Sequence, residues 1–368
     1  MNIVDIGLII GGLVLLVAGG EALVRGAGTL ASRAGISPLV IGLVVVSAAT
    51  SAPEFAVTMG AVLSGEPDIA VGNVVGSNIV NILFILGLSA VISPLIIKRQ
   101  LVRFDIPIMV GISILLLVVS LDGSVSVLDG FVLLASLGFH TVMSIRLGRK
   151  EVVDPTAKPD TMPLNSKPVP LWLALILLVA GIALLVAGAQ LLVTGAVSIA
   201  TALGVSSLVI GLTVVAVGTS LPELATSIIA LLKGETDMAV GNIVGSNIFN
   251  IGMVLGLPAI LFGQGIPVAP AAISIDIPLM LATAAALLPL AFTGFVIRRW
   301  EGLLFVLLYT AYTVYLVLAS TQHDAAEGFS NIMLWFVLPL VAMTLVAVTS
   351  YEFGVLKERK AAKLAKPS

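Results

Sequence analysis

The sequence predicts an all-α polytopic membrane protein: two inverted five-helix repeats, forming a ten-helix core, plus one extra C-terminal helix. Three observations predict it: an extreme composition, a series of long apolar runs, and a segment that occurs twice. Of 368 residues, 59% are hydrophobic and 10% charged, with a mean hydropathy of +1.18. Soluble domains carry about 25% charged residues, so a soluble globule is excluded, and disordered, collagen-like and coiled-coil chains with it. The absence of cysteine excludes a disulfide framework. The net charge of −2 says less than where the charges sit.

A helix needs about 20 apolar residues to cross a bilayer. Eleven candidate spans follow: Ile6–Val24, Ile36–Leu63, Ile69–Ile92, Ile106–Leu121, Leu128–Ile145, Val169–Val193, Val205–Leu232, Met238–Phe262, Ile277–Phe292, Leu303–Leu318 and Ile332–Ser350. Spans 2 and 7 are long and interrupted. Spans 4, 9 and 10 are short. The opening MNIVDIG has neither a positive n-region nor a cleavage site, so it reads as a first span.

The loops segregate by charge. All 18 Lys and Arg follow spans 1, 3, 5, 7, 9 or 11. The other side holds Asp5, Glu66, Asp68, Asp122, Asp129, Asp324 and Glu327 and no basic residue. The positive-inside rule then predicts an external N-terminus and a cytoplasmic C-terminus. A miscounted span would scramble this pattern, so it also supports the count of eleven.

The chain contains itself twice. AVGNVVGSNIVNILFILGL at Ala70–Leu88 returns as AVGNIVGSNIFNIGMVLGL at Ala239–Leu257, identical at 14 of 19 positions with an offset of 169. That offset also aligns TSAPE (Thr50–Glu54) with TSLPE (Thr219–Glu223), LVIGL at Leu39 with LVIGL at Leu208, and LLVAG at Leu15 with LLVAG at Leu184. A DIP motif recurs at Asp105 and Asp276. Because each copy holds five spans, an odd number, the copies must lie upside down relative to each other. Inverted repeats with interrupted helices are the architecture of secondary transporters, with the site at the midplane.

Residues 151–168 are polar and proline-bearing, as in a linker. The predicted organisation is a first repeat over 1–146, a cytoplasmic linker over 147–168, a second, inverted repeat over 169–320, and an additional helix with a basic tail over 321–368. The tail reads as an anchor against anionic lipid.

Glu54 and Glu223 fall at equivalent places near the middle of spans 2 and 7. A charge at the centre of a membrane helix costs about 2.5–3.5 kcal/mol on translocon scales. No Lys or Arg lies at that depth, so a bound cation is the natural compensation; the alternative is a pair of protonated, hydrogen-bonded acids. Pro53 and Pro222 immediately precede them. Proline removes a helical hydrogen bond, which is expected to free main-chain oxygens around Ser47–Thr50 and Ala216–Thr219 for cation binding. Thr50 and Ser51, and Thr219 and Ser220, share the helix face of their glutamate. Ser77 and Asn81 lie four apart in span 3, as do Ser246 and Asn250 in span 8, so each pair shares a face. Gly72 and Gly76, and Gly241 and Gly245, form GxxxG motifs suited to close helix packing. Asn73, Asn78, Asn242 and Asn247 read as hydrogen-bonding supports.

All these donors are oxygen. A flexible cage of six to eight oxygens suits Ca²⁺, whereas Mg²⁺ dehydrates reluctantly; soft metals are disfavoured by the missing thiols. Of the two histidines, His323 lies in an outer loop, and His140, alone in span 5, reads as a packed or interfacial residue. No metal-bound water site, nucleophile–base pair or phosphate loop is visible, so an enzyme is not expected.

At these residues the sequence resembles the calcium/cation antiporter superfamily, specifically the prokaryotic sodium/calcium exchangers. The paired TSxPE and GNxVGSNIxN motifs are similar to that family's alpha repeats, over about residues 1–320. The resemblance implies ten core helices in two inverted halves, with Ca²⁺ and Na⁺ competing for overlapping midplane sites and no cofactor. It implies that Glu54 and Glu223 bind Ca²⁺ and share Na⁺, that Thr50 and Thr219 add oxygens, and that Ser51, Ser77, Ser220 and Ser246 complete the Na⁺ sites. Main-chain oxygens of Ser47 and Ala216 would serve the end positions, and Asn81 and Asn250 would line the centre. Two departures stand out: some members are acidic where this chain has Asn250, and SAATSAPE differs from AVGTSLPE. The implied function is exchange of Ca²⁺ for Na⁺ across the cytoplasmic membrane, with Ca²⁺, Na⁺ and lipid as the partners, and no nucleic acid or protein partner. K⁺-dependent exchange, H⁺/Ca²⁺ antiport and, more distantly, a calcium channel are the alternatives.

Overall fold

The computed structural model describes residues 3–153, 169–204, 213–214, 216–292, 294–321 and 325–333, and isolated positions to 346. Within these the chain is helical, and its spans follow the hydropathy. Span 1 is α1 (Ile3–Ala34). Span 2 is two helices, α2 (Pro38–Thr50) and α3 (Ala52–Leu63), meeting at 43°. Then come α4 (Pro67–Ile92), α5 (Leu101–Val119), α6 (Val127–Val153) and α7 (Leu171–Ala202). Span 7 is represented by α8 (Ala216–Gly218) and α9 (Leu221–Leu232). The series ends with α10 (Thr236–Phe262), α11 (Ala272–Ala291), α12 (Arg299–Ser320) and α13 (Ala325–Ile332). Eight of these helices are long and apolar enough to cross a membrane, nine if the bent pair counts as one crossing. Most of span 11 and of the linker, and the 205–212 stretch of span 7, lie outside the described residues.

Several helices exceed the runs read from hydropathy. Span 4 starts at Leu101 rather than Ile106, through a π-type turn at Leu101–Asp105 that includes Arg103 and Asp105. Span 9 starts with the equivalent π-type turn, Ala272–Asp276. Residues 147–153, expected in the linker, continue α6. Arg25 and Arg33, expected in a loop, lie in the last turns of α1.

Two helices form the centre. In α4 and α10, 72% and 78% of the apolar window is buried, against 11–39% in the other long helices. Around them, α1 exposes Ile10, Leu13, Val14 and Val17, and α7 exposes Trp172, Leu175, Ile176 and Val179. Apolar faces of this extent belong against lipid.

Helices α1 and α7, which carry the two LLVAG copies, run antiparallel along a seam of small residues. A Cβ on Gly12 would lie 2.7 Å from Gly188 O, one on Gly19 would lie 2.9 Å from Gly181 O, and one on Gly26 would lie 2.7 Å from Ala174 O. Only glycine permits backbones this close.

The loops close into two short antiparallel ribbons. β1 (Leu95–Ile96) pairs with β4 (Val296–Ile297), and β2 (Ser124–Val125) pairs with β3 (Ile266–Pro267). The loop after span 3 thus meets the loop after span 9, and the loop after span 4 meets the loop after span 8. Lys98 also pairs with Asp237 at 2.9 Å, and Arg33 donates to Val169 O at 3.0 Å. Every one of these contacts joins loops or helix ends that the charge pattern assigns to the same face.

Candidate cation site

The break between α2 and α3 builds half of the site. Ser51 sits at φ −78°, ψ 5°, and Ser220 repeats it at φ −89°, ψ 7°. Each serine ends one helical segment and caps the next. Pro53 and Pro222 occupy the first turn of the following helix, where no N–H is needed. Glu54 and Glu223 therefore lie in the first turns of α3 and α9, where the positive end of the helix dipole favours a carboxylate.

The two carboxylates meet across the repeats. Both are fully buried. Ser220 Oγ donates to Glu54 Oε1 at 3.3 Å, and Ser51 Oγ donates to Glu223 Oε1 at 3.4 Å. Each glutamate is held by the other half's serine, and Ser246 Oγ adds a bond to Glu223 Oε1 at 3.4 Å. Their Oε2 atoms have no hydrogen-bond partner.

Helices α4 and α10 complete the cage. Asn81 gives its NH₂ to Asn247 Oδ1 at 3.1 Å, and Asn250 gives its NH₂ to Asn78 Oδ1 at 3.0 Å. Both leave their own Oδ1 without a partner, as are the hydroxyls of Ser77 and Thr219. Six of the twelve sequence-predicted site residues thus present a buried, partnerless oxygen. Such groups are costly in a membrane interior unless something binds them. Among the described residues there is no cluster of three or more His, Cys, Asp or Glu.

The halves are not equivalent. Thr50 Oγ1 donates to Asn242 Oδ1 at 3.2 Å and lies 3.4 Å from Ser246 Oγ, whereas Thr219 and Ser77 lack the matching bonds. The Ser47 carbonyl, expected to be freed by the proline, accepts Ser51 N–H at 3.0 Å. Residue 51 closes the last turn of α2, so the carbonyl never loses its donor. Ala216 opens α8, and the next carbonyl, of Val217, takes Ser220 N–H at 3.1 Å. Gly241 and Gly245 do admit a close neighbour, with Leu39 O and Leu43 O 2.6 and 2.4 Å from an added Cβ. Gly72 and Gly76 have nothing within 4 Å among the described residues, so the packing role expected for all four is seen at two.

The supporting residues also repeat. Asn73 Nδ2 donates to Glu54 O at 3.0 Å and Thr58 Oγ1 at 2.9 Å; the equivalent Asn242 donates to Ser227 Oγ at 3.2 Å. Thr58 and Ser227 went unnoticed in the sequence, although both lie four residues after their glutamate.

His140 is packed, as expected, but not alone. Its Nε2 lies 3.0 Å from Asp105 Oδ1 and 3.1 Å from Ser144 Oγ, and Ser144 donates to Asp105 at 2.7 Å. The i, i+4 spacing of His140 and Ser144 was the available signal. Asp105 and Ser144 share one ring nitrogen while Nδ1 has no partner, which is not the base-and-orienter geometry of a nucleophilic triad.

Two buried acidic side chains, each bonded by the other repeat's serine and accompanied by partnerless neutral oxygens, lie inside a bundle of helices apolar and long enough to cross a membrane: the class is a polytopic membrane protein. The chain belongs to the sodium/calcium exchanger protein family, whose sequence profile matches residues 4–146 and 173–318, one segment for each repeat. It is 41% identical over 261 residues to the inner membrane protein YrbG of Escherichia coli, covering 69% of this chain and 79% of that one. It is 32% identical over 338 residues to the sodium/calcium exchanger MaX1 of Methanosarcina acetivorans, covering 83% and 96%. Among solved structures it is similar to the sodium-calcium exchanger NCX_Mj soaked with Na⁺ and Sr²⁺, at a TM-score of 0.71 and 34% identity over 84% of this chain and 97% of that one.

Proposed function

We propose that this chain exchanges Ca²⁺ for Na⁺ across the cytoplasmic membrane by alternating access between two inverted halves, normally extruding Ca²⁺. The observation that carries the reading is the set of buried, partnerless oxygens around Glu54 and Glu223. Family membership and the antiparallel seam of α1 and α7 support it.

In this reading Glu54 and Glu223 hold Ca²⁺ and share Na⁺. Thr50, Thr219, Ser51, Ser220, Ser77 and Ser246 supply hydroxyl or main-chain oxygens, Asn81 and Asn250 the central carbonyls, and Ser47 and Ala216 the terminal main-chain oxygens. One Ca²⁺ neutralises two carboxylates, as do two Na⁺ or two H⁺. A third Na⁺ leaves one positive charge, and moving it is worth about 2.3 kcal/mol per 100 mV. An empty site keeps unpaired buried charge, which opposes the conformational step and so enforces exchange. The N-terminus lies outside, which puts Ser47 on the cytoplasmic side of the glutamates. The bond of Thr50 to Asn242 then ties α2 to α10 and seals that side, while the Thr219 and Ser77 hydroxyls stay unbonded on the other.

The test is Na⁺-dependent ⁴⁵Ca²⁺ uptake into proteoliposomes with voltage clamped by an ionophore. Glu54→Gln is expected to abolish it; intact uptake would overturn the site assignment. Varying Na⁺, K⁺ and pH separately distinguishes K⁺-dependent and H⁺-coupled exchange, and flux without a counter-ion would mark a channel.

A further inference from the structure

The DIP motif is repeated but has no part in the cage described above. It extends to DIPIM at Asp105–Met109 and DIPLM at Asp276–Met280. Both methionines are buried, each about 1% exposed, and both reach the asparagines behind the cage. Asn247 Nδ2 donates to Met109 Sδ at 3.5 Å, and Asn78 Nδ2 donates to Met280 Sδ at 3.5 Å. These are the same two asparagines whose Oδ1 atoms receive the NH₂ groups of Asn81 and Asn250.

An amide side chain can face a neighbour with either end, as a donor or as an acceptor. A thioether accepts hydrogen bonds and cannot donate them. Met109 therefore fixes Asn247 with its NH₂ toward sulfur and its Oδ1 toward Asn81. Asn81 must answer with its NH₂, which leaves its Oδ1 partnerless. The reverse arrangement would set an N–H donor in the cage, where it would repel a cation. Met280, Asn78 and Asn250 repeat the chain from the other half, with Asn247 O as a second acceptor for Asn78 Nδ2 at 3.2 Å.

We infer that Met109 with Asn247, and Met280 with Asn78, are positioning residues that orient the Asn81 and Asn250 amides so that both present oxygen to the cation. This rests on the cation-site reading above, and it extends the machinery to α5 and α11.

The test is a double-mutant cycle on the half-saturating Ca²⁺ and Na⁺ concentrations of exchange in proteoliposomes. Met109→Leu keeps the volume and removes the acceptor. A neutral hydrogen bond corresponds to about a two- to tenfold change in an equilibrium. We expect Met109→Leu to raise the half-saturating Ca²⁺ concentration by about that factor, with little change in maximal rate. Met143→Leu, at a half-buried position in α6, should leave it unchanged. Met280→Leu should have the smaller effect, because Asn78 keeps its bond to Asn247 O. The decisive arm places Met109→Leu in an Asn81→Asp background. A carboxylate offers oxygen at both ends and needs no orienting, so the penalty should vanish or reverse. Asn247→Asp provides a second background, since a carboxylate there accepts from Asn81 whichever way it faces. No effect of Met109→Leu in the parent, or a penalty that persists in both backgrounds, would overturn the inference. Failure of the cation-site reading would show separately, as exchange that survives Glu54→Gln.

Discussion

The contact between α2 and α10 can be opened with one methyl group. A Cβ on Gly245 would lie 2.4 Å from Leu43 O and 2.7 Å from Ser47 Oγ, whereas ordinary contact begins at 3.4 Å. Neither neighbour can swing aside, because the Ser47 hydroxyl is bonded to that same Leu43 carbonyl at 2.6 Å. For Gly245→Ala, α2 must therefore retreat by about 1 Å. Overpacking of this kind costs about 1–3 kcal/mol, or roughly a 5- to 150-fold shift away from the sealed arrangement. Gly60→Ala, at an exposed position of α3 with nothing within 4 Å among the described residues, should shift nothing. The chain has no cysteine, so Val46→Cys gives a single reporter at a fully buried position of α2. Its labelling by a membrane-impermeant thiol reagent in inside-out vesicles should accelerate by that factor with Gly245→Ala and not with Gly60→Ala. Continued protection of the reporter in folded Gly245→Ala protein, or equal labelling with both alanines, would refute the reasoning.

Two further outcomes are expected. His140→Leu removes one of the two hydrogen-bond partners of the buried Asp105 and leaves Ser144 alone, a loss of about 1–3 kcal/mol; melting in detergent should fall while ion half-saturation stays unchanged, and His140→Gln should recover part of the loss. Glu235, at the cap of α10, has its pKa raised from 4.5, first by burial and then by Asp237, with Lys233 and Lys98 opposing. A raised carboxylate pKa means the folded state favours the protonated form, so the charged form detracts from stability above the ordinary value and the penalty fades as pH falls towards it. Glu235→Gln should thus raise the melting temperature at neutral pH, with the gain disappearing as pH falls to about 4.5.

Much of this was legible in one sequence because the membrane simplifies the code. Hydropathy gave spans 1–6 and 8–10 and the latter part of span 7 in order. The duplication singled out Glu54, Glu223 and their neighbours, since polar residues at membrane depth need a reason to persist. The start of α5 was illegible because Arg103 and Asp105 interrupt the apolar run. Asp105 is tolerated there only through His140 and Ser144, a tertiary partnership outside any local window. The asymmetry between Thr50 and Thr219 was hidden for a different reason: nearly identical motifs cannot announce which half is closed in a given state. The proline argument failed at Ser47 because the break falls at Ser51, one residue too late to strip that carbonyl of its N–H.

The two ribbons bear on how the chain comes to exist at all. Leu95 pairs with Ile297, and Ser124 with Pro267, so each strand of the first half waits for a partner roughly 140–200 residues further along. At a synthesis rate of about 5–20 residues per second, that delay is about 7 to 40 seconds. During that interval the nascent first half sits in the bilayer with its rims unfinished. The halves are thus interlaced members of one body rather than separable modules, and splitting the gene between them would yield fragments that must find each other before either could mature.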